Sequence, residues 1–163
     1  MNIRITNFLR IIALIEYLLG FVLLSFEIKN YLQLPTTKEI DEQFGGFVDL
    51  FQYKESCYKN LFLYSLLIIT GLSFWMNKKL YWGLTQILLI TLFFVVLTNL
   101  WFTSFFHLGI GTCIGILSLI IFIYLEIKMC NPLLLQTMGI SKMSKWLSFL
   151  GGGLSCVIWL LLW

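Results

Sequence analysis

Residues 80–125 contain no Asp, Glu, Lys or Arg, a run more than twice the length of about 20 residues that a helix needs to cross the hydrocarbon layer of a bilayer. A water-soluble fold cannot absorb such a run. A globular domain carries charge at about a quarter of its positions, whereas this chain is 12% charged and 60% apolar or aromatic. The outside of the folded chain is therefore expected to face lipid. The chain is read as an all-α, polytopic integral membrane protein, one membrane domain over residues 1–163 with five transmembrane helices and a short external amphipathic helix.

Charge-free stretches set the spans at about 8–26, 60–76, 80–102, 107–125 and 146–163. Thr103, Ser104 and His107 mark the turn that divides the uncharged run in two. Arg4 and Arg10 ahead of the first apolar run resemble the start of a signal peptide, but no small-x-small cleavage site follows, so the segment is expected to be retained. Lysines and arginines are held on the cytoplasmic side of a membrane. With the amino end inside, Arg4, Arg10, Lys78, Lys79, Lys128, Lys142 and Lys145 all fall in the cytoplasm, including a loop at 126–145. The loop at 27–59 is then external, where Lys29, Lys38, Lys54 and Lys59 are offset by Glu39, Asp41, Glu42, Asp49 and Glu55, and the carboxyl end is external too. The expected location is a cell membrane, the inner membrane in a two-membrane cell. The final segment, interrupted by Gly151, Gly152 and Gly153, has the alternative of lying along the inner surface. Trp75, Tyr81, Trp82, Trp101, Trp146 and Trp163 fall at predicted boundaries, where aromatic side chains anchor spans at the interface.

In the external loop, Thr36 and Glu39 form a capping box, and Ile40, Phe44, Phe47, Val48 and Phe51 follow at helical spacing. Asp41, Glu42, Asp49 and Gln52 take the other side. The spacing predicts an amphipathic helix from about Thr37 to Tyr53, weakened at Gly45 and Gly46, serving as a lid on its own spans or as a docking surface. On the inner side Asn131 and Pro132 read as a cap and first helical residue, with Gly139 as the stop.

Glu16 is the acidic residue placed deepest in a predicted span. A charge at that depth costs several kcal/mol, so the carboxyl is expected to be protonated, paired or facing a wet cavity. Ala13, Glu16, Gly20 and Leu23 share a helical stripe that suits another helix better than lipid. Gln86 enters the third span about as far from the cytoplasmic side and is the expected hydrogen-bond partner; the sharper alternative is that Glu16 binds and releases a proton or cation. Asn99, with Thr91 and Thr98, adds polar helix contacts. Gly111 and Gly115 form a GxxxG pair, and Ser148, Gly151, Gly152 and Ser155 form overlapping small-xxx-small pairs. Such faces serve internal packing or association.

His107 is the one histidine, and Cys57, Cys113, Cys130 and Cys156 are widely separated with no CxxC, so multi-histidine metal and haem sites within one chain are excluded. The cysteines read as packing residues, with Cys57 a candidate for an intermolecular disulfide. Walker, HExxH and GxSxG patterns do not occur, and no cofactor or metal is expected. A net charge of +3 with scattered basic residues excludes a nucleic-acid surface. A single alanine, Ala13, amid many Phe, Ile and Lys codons suggests an AT-rich genome or a mobile element. The resulting expectation is a non-enzymatic accessory or regulatory membrane protein, of toxin-immunity or phage-defence type, whose partners are the lipid bilayer and either a second copy (a homo-oligomer) or a larger membrane complex. The alternative is a small proton- or cation-coupled carrier or channel subunit that uses Glu16.

Overall fold

The computed structural model describes residues 3–33, 50–104 and 110–162, and among these only helices and short turns occur. The helices are α1 (Ile3–Leu32), α2 (Leu50–Met76), α3 (Lys78–Ser104), α4 (Ile110–Met129), α5 (Pro132–Met138) and α6 (Lys142–Leu161). Five are long and apolar enough to cross a membrane: Asn7–Leu32, Ser56–Met76, Lys78–Trp101, Thr112–Met129 and Lys142–Leu161. A helix satisfies its own backbone polar groups, which any segment crossing a membrane requires.

The helices run further than the charge-free stretches did. α1 continues past Glu27, α2 starts at Leu50 rather than near 60, and α4 continues past Glu126. A single carboxyl does not stop a helix when its chain neighbours are good helix formers and a side chain can reach it; glycine, proline or a capping residue stops it. Where such signals exist, the boundaries follow them. Asn77 separates α2 from α3 and accepts a 2.9 Å hydrogen bond from the Lys79 amide. Asn131 caps α5 by accepting from Leu133, Pro132 takes its first turn, and Gly139 ends it at φ 65°. Ser141 caps α6 by accepting from the Ser144 amide.

α3 is the centre, with α2, α4 and α6 packed along it, and α1 packs along α2. Directions follow from the pairings. Glu27 meets Asn60 and Gly20 meets Leu67 and Ile68, so α1 and α2 are antiparallel. Trp82 bonds the Met129 carbonyl and Leu100 packs on Gly115, so α3 and α4 are antiparallel. Gly83 faces Ser148, Ile87 faces Gly151, Ile90 faces Gly152, and Phe94 meets Trp159 edge-on, so α6 runs parallel to α3 along its length rather than across the bundle's end. The amino end of α1 and the carboxyl end of α6 consequently lie at opposite ends. Arg10, Lys78, Lys79, Lys128, Lys142 and Lys145 collect at the first of these.

The core sits toward this basic end: Leu9, Ala13, Tyr81, Trp82, Leu89, Met129, Leu134, Leu135 and Met138 form one buried cluster. Two expected interfacial anchors belong to it, since Tyr81 is 0% and Trp82 1% exposed. Their polar atoms point inward: the Trp82 indole donates at 3.0 Å to the Met129 carbonyl, one of the orphaned acceptors at the end of α4. Trp75, Trp101 and Trp146 are exposed. Trp163 lies outside the described residues, as do Ile40, Phe44, Phe47 and Val48 of the expected amphipathic helix; Phe51 falls in the first turn of α2, its side chain again outside them.

Two backbones approach closely at Gly71. A Cβ there would lie 2.7 Å from both the Ala13 carbonyl oxygen and the Tyr17 amide nitrogen. Gly71→Ala must push α1 off α2 and is expected to cost about 1–3 kcal/mol, as overpacking does. Gly153→Ala, where a Cβ meets nothing within 4 Å, is expected to be neutral or to gain up to about 1 kcal/mol from helix propensity. Thermal unfolding of both variants in detergent checks this, and equal midpoints would refute the close approach.

Candidate functional site

Two adjacent stripes of α3 carry the polar groups of the interior. Tyr81 and Thr85 are one turn apart, and Trp82 and Gln86 are one turn apart on the neighbouring stripe. The first stripe turns toward α1 and α2, where the Tyr81 ring meets Phe74 edge-on at 5.2 Å. The second turns toward α4, where Trp82 bonds Met129.

Glu16 is half-buried on the face of α1 that also carries Ala13 and Gly20. Its polar neighbour is Tyr81. The pair lie within electrostatic reach, yet the Tyr81 hydroxyl and Glu16 Oε2 are both buried without a hydrogen bond. Gln86 does not meet Glu16. Its side chain is 1% exposed, and neither its Nε2 nor its Oε1 has a hydrogen-bond partner. The expected Glu16–Gln86 bond is not made because equal depth does not place two residues on facing stripes: Tyr81, not Gln86, is the α3 residue turned to α1.

The polar neighbour of Gln86 is Glu126, which the sequence analysis placed in a cytoplasmic loop. With α4 continuing to Met129, Phe122, Glu126 and Met129 recur at i, i+4 and i+7, which turns the carboxyl into the bundle. Glu126 Oε1 accepts from the Cys130 thiol at 3.4 Å, while Oε2 is buried without a partner. Burial and the neighbouring Glu126 carboxylate push the Cys130 pKa up to about 11, against the opposing pull of Lys145. Cys130 therefore stays a protonated thiol and a hydrogen-bond donor. The spacing of Phe122, Glu126 and Met129 was readable in the sequence; cutting the span at the first charge concealed it.

A third carboxyl, Glu27, lies eleven residues beyond Glu16 on the same stripe of α1, about 16 Å along the helix axis. It is 8% exposed and accepts from Asn60 Nδ2 at 3.2 Å. Unlike Glu16 and Glu126, it has no buried carboxyl oxygen left without a hydrogen bond. Close by, Tyr31 and Tyr58 share a 3.2 Å hydroxyl contact, and the Lys59 ammonium stands 4.9 Å over the Trp159 ring, tying α2 to the far end of α6.

The small residues are placed inside the chain. A Cβ on Gly115 would lie 2.6 Å from Leu100, on Gly151 2.8 Å from Ile87, and on Gly152 2.7 Å from Ile90. Ser155 accepts a 2.9 Å hydrogen bond from Thr91. Gly111 lies in the first turn of α4, with its surroundings outside the described residues. Asn99 is exposed near the far end of α3, about 20 Å from Gln86 along the axis, and takes no part in the cluster. His107 lies outside the described residues.

The arrangement that stands out is therefore Glu16, Tyr81, Gln86 and Glu126: four side chains, five buried polar atoms without a hydrogen bond. Such atoms cost about 1–3 kcal/mol each when nothing binds them. Gln86→Leu, close in volume, is expected to raise the unfolding free energy by about that amount. A chemical or thermal unfolding curve checks the sign, and a destabilised variant would mean that the amide is bonded.

No protein-family model matches this chain, nor does any curated protein or solved structure.

Proposed function

We propose that this chain is a small multi-pass membrane protein that takes up and releases a proton or small cation at Glu16 and Glu126, the two carboxyl groups on either side of the central helix α3. The observation that carries the reading is Gln86, whose fully buried amide has both ends unbonded beside Glu126. A polar group held at that cost and left unsatisfied is explained by a water or ion that binds there. Ionisable groups within a membrane segment are costly, and they mark ion and proton pathways. In the proposed orientation the basic end is cytoplasmic, by the rule that positive residues are retained inside. Glu126 is then near the cytoplasmic face, Glu16 deeper, and Glu27 near the outer face, with the carboxyl end of α6 external.

Self-association of an accessory protein is the second reading. Of the small residues that support it, Gly115, Gly151, Gly152 and Ser155 are occupied within the chain. What favours it is α4, whose Thr112–Met129 span is 6% buried, the least of the five candidate spans, and which carries Cys113 on its exposed side. Oxidative cross-linking of Cys113 in native membranes would yield a dimer that Cys113→Ser removes, if a second copy covers this face.

For the first reading, the chain reconstituted in liposomes is expected to dissipate an imposed proton or sodium gradient. Glu16→Gln and Glu126→Gln are each expected to abolish that flux, and Gln86→Leu to do so while making the protein more stable. Flux that is equal in the native chain and all three variants overturns the proposal.

A further inference from the structure

Glu126 and Glu16 face partners of one chemical kind. Gln86 is 1% exposed, with Nε2 and Oε1 both unbonded beside Glu126, and the Tyr81 hydroxyl, also buried and unbonded, stands beside Glu16. An amide carries N–H donors at one edge and a carbonyl acceptor at the other, and a phenol hydroxyl both donates and accepts. A carboxylate only accepts, whereas a carboxylic acid donates through its O–H and keeps some capacity to accept. Each carboxyl is thus set against a group that fits it in either protonation state. A half-turn of the Gln86 amide, or a turn of the Tyr81 hydroxyl about its C–O bond, exchanges donor for acceptor.

We infer that the ion held at Glu126 and Glu16 is the proton, bound as the O–H of a neutral carboxylic acid, with Gln86 and Tyr81 as positioning residues that hydrogen-bond both its charged and its neutral form. The inference rests on the reading that these two carboxyls are the working groups, and it narrows a proton or small cation to the proton alone. A metal cation asks for different surroundings. It is held by oxygens that replace its hydration shell, and in membrane proteins these include carbonyls freed where a helix unwinds. α3 and α4 run unbroken through Gln86 and Glu126, and the Met129 carbonyl at the end of α4 is taken by Trp82. The wedge open between α4 and α6, a cavity of about 280 Å³, adds no oxygen, since apart from Glu126 its described lining is apolar. Glu126 Oε1 already accepts from Cys130. Glu126 Oε2 and Gln86 Oε1 remain, with the Gln86 Nε2 donors, which repel a cation, on the same amide. The titratable groups acting here are Cys130 at Glu126, with Lys145 of α6 acting on that thiol, and Tyr81 at Glu16. Uptake forms an O–H bond on the carboxyl and breaks one in a hydronium ion, leaving water; release reverses both.

The test uses the full chain in liposomes that hold a pH-sensitive dye, with a membrane-permeant organic cation to balance charge. Proton uptake is measured in sodium and in choline buffer, and uptake of radioactive sodium separately. Proton uptake is expected to be equal in the two buffers, and sodium uptake to stay at the level of protein-free liposomes. Tyr81→Phe, which keeps the ring against Phe74, is expected to slow proton uptake at least about tenfold, or about 1.4 kcal/mol in the barrier, and Gly153→Ala to leave it unchanged. Infrared difference spectra between acidic and alkaline pH supply a readout that needs no transport. A protonated-carboxyl stretch is expected, diminished in Glu126→Gln and shifted in Gln86→Leu, where the amide no longer bonds the acid. Sodium uptake by the native chain, or proton uptake that stops in choline, overturns this inference and leaves the ion-handling reading standing. An unshifted band in Gln86→Leu together with native proton uptake in Tyr81→Phe overturns it as well. Absence of both fluxes from the native chain sinks the parent reading, and this inference falls with it.

Discussion

Close backbone approach decides this bundle. In hydrocarbon one apolar helix face is as good as another, so burial of greasy surface cannot choose which helices pair. The choice falls to positions where a missing side chain lets two helices touch: Gly71 against Ala13 and Tyr17, Gly20 against Leu67 and Ile68, Gly115 against Leu100, and Gly151 and Gly152 against Ile87 and Ile90. Each of these contacts is between two helices of the same chain. They bring α1 to α2 and bring α4 and α6 to α3, and the polar cluster and the open wedge are both by-products of that geometry.

Polar contacts then divide into two kinds. Thr91 to Ser155, Trp82 to Met129 and Asn60 to Glu27 are closed hydrogen bonds that hold helices in register. Glu16, Tyr81, Gln86 and Glu126 keep buried atoms open. The first kind needs no function to account for it, since helices in lipid are held by such bonds. The second kind is a cost that packing alone does not explain, and it concentrates around two turns of one helix. Carboxyl groups on both sides of an unbonded amide are a more specific arrangement than a stripe of small residues, and they are what the proposed ion-handling role rests on.

Much of the architecture was legible. Runs without charge located five helices, because the length of an apolar run is a direct measure of what it can cross. Asn131 with Pro132, and Gly139, marked a turn correctly, since capping and φ preferences act within a few residues of the chain. What was misjudged involves contacts between helices. Tyr81 and Trp82 follow a basic turn, as interfacial anchors do, yet they fill the core, Tyr81 against Phe74 of α2 and Trp82 against the end of α4, in one cluster with Leu134, Leu135 and Met138 of α5. Glu126 is the first charge after an uncharged run, yet the helix continues past it to Met129, and its spacing from Phe122 and Met129 turns it inward.

By itself, the sequence determined that the chain is a bundle of long apolar helices with seven of its eleven basic residues at one end, because those features depend only on run length and on charge along the chain. It also marked Glu16 and Gln86 as polar residues in apolar runs. Only the tertiary structure decided which helix each of them faces: Glu16 meets Tyr81, Gln86 meets Glu126, and a cavity opens between α4 and α6. The reason is that rotation about a helix axis and the choice of neighbour are set by a few close contacts between distant residues, such as Gly71 with Ala13, and an almost uniformly apolar sequence carries little pattern from which such contacts can be read.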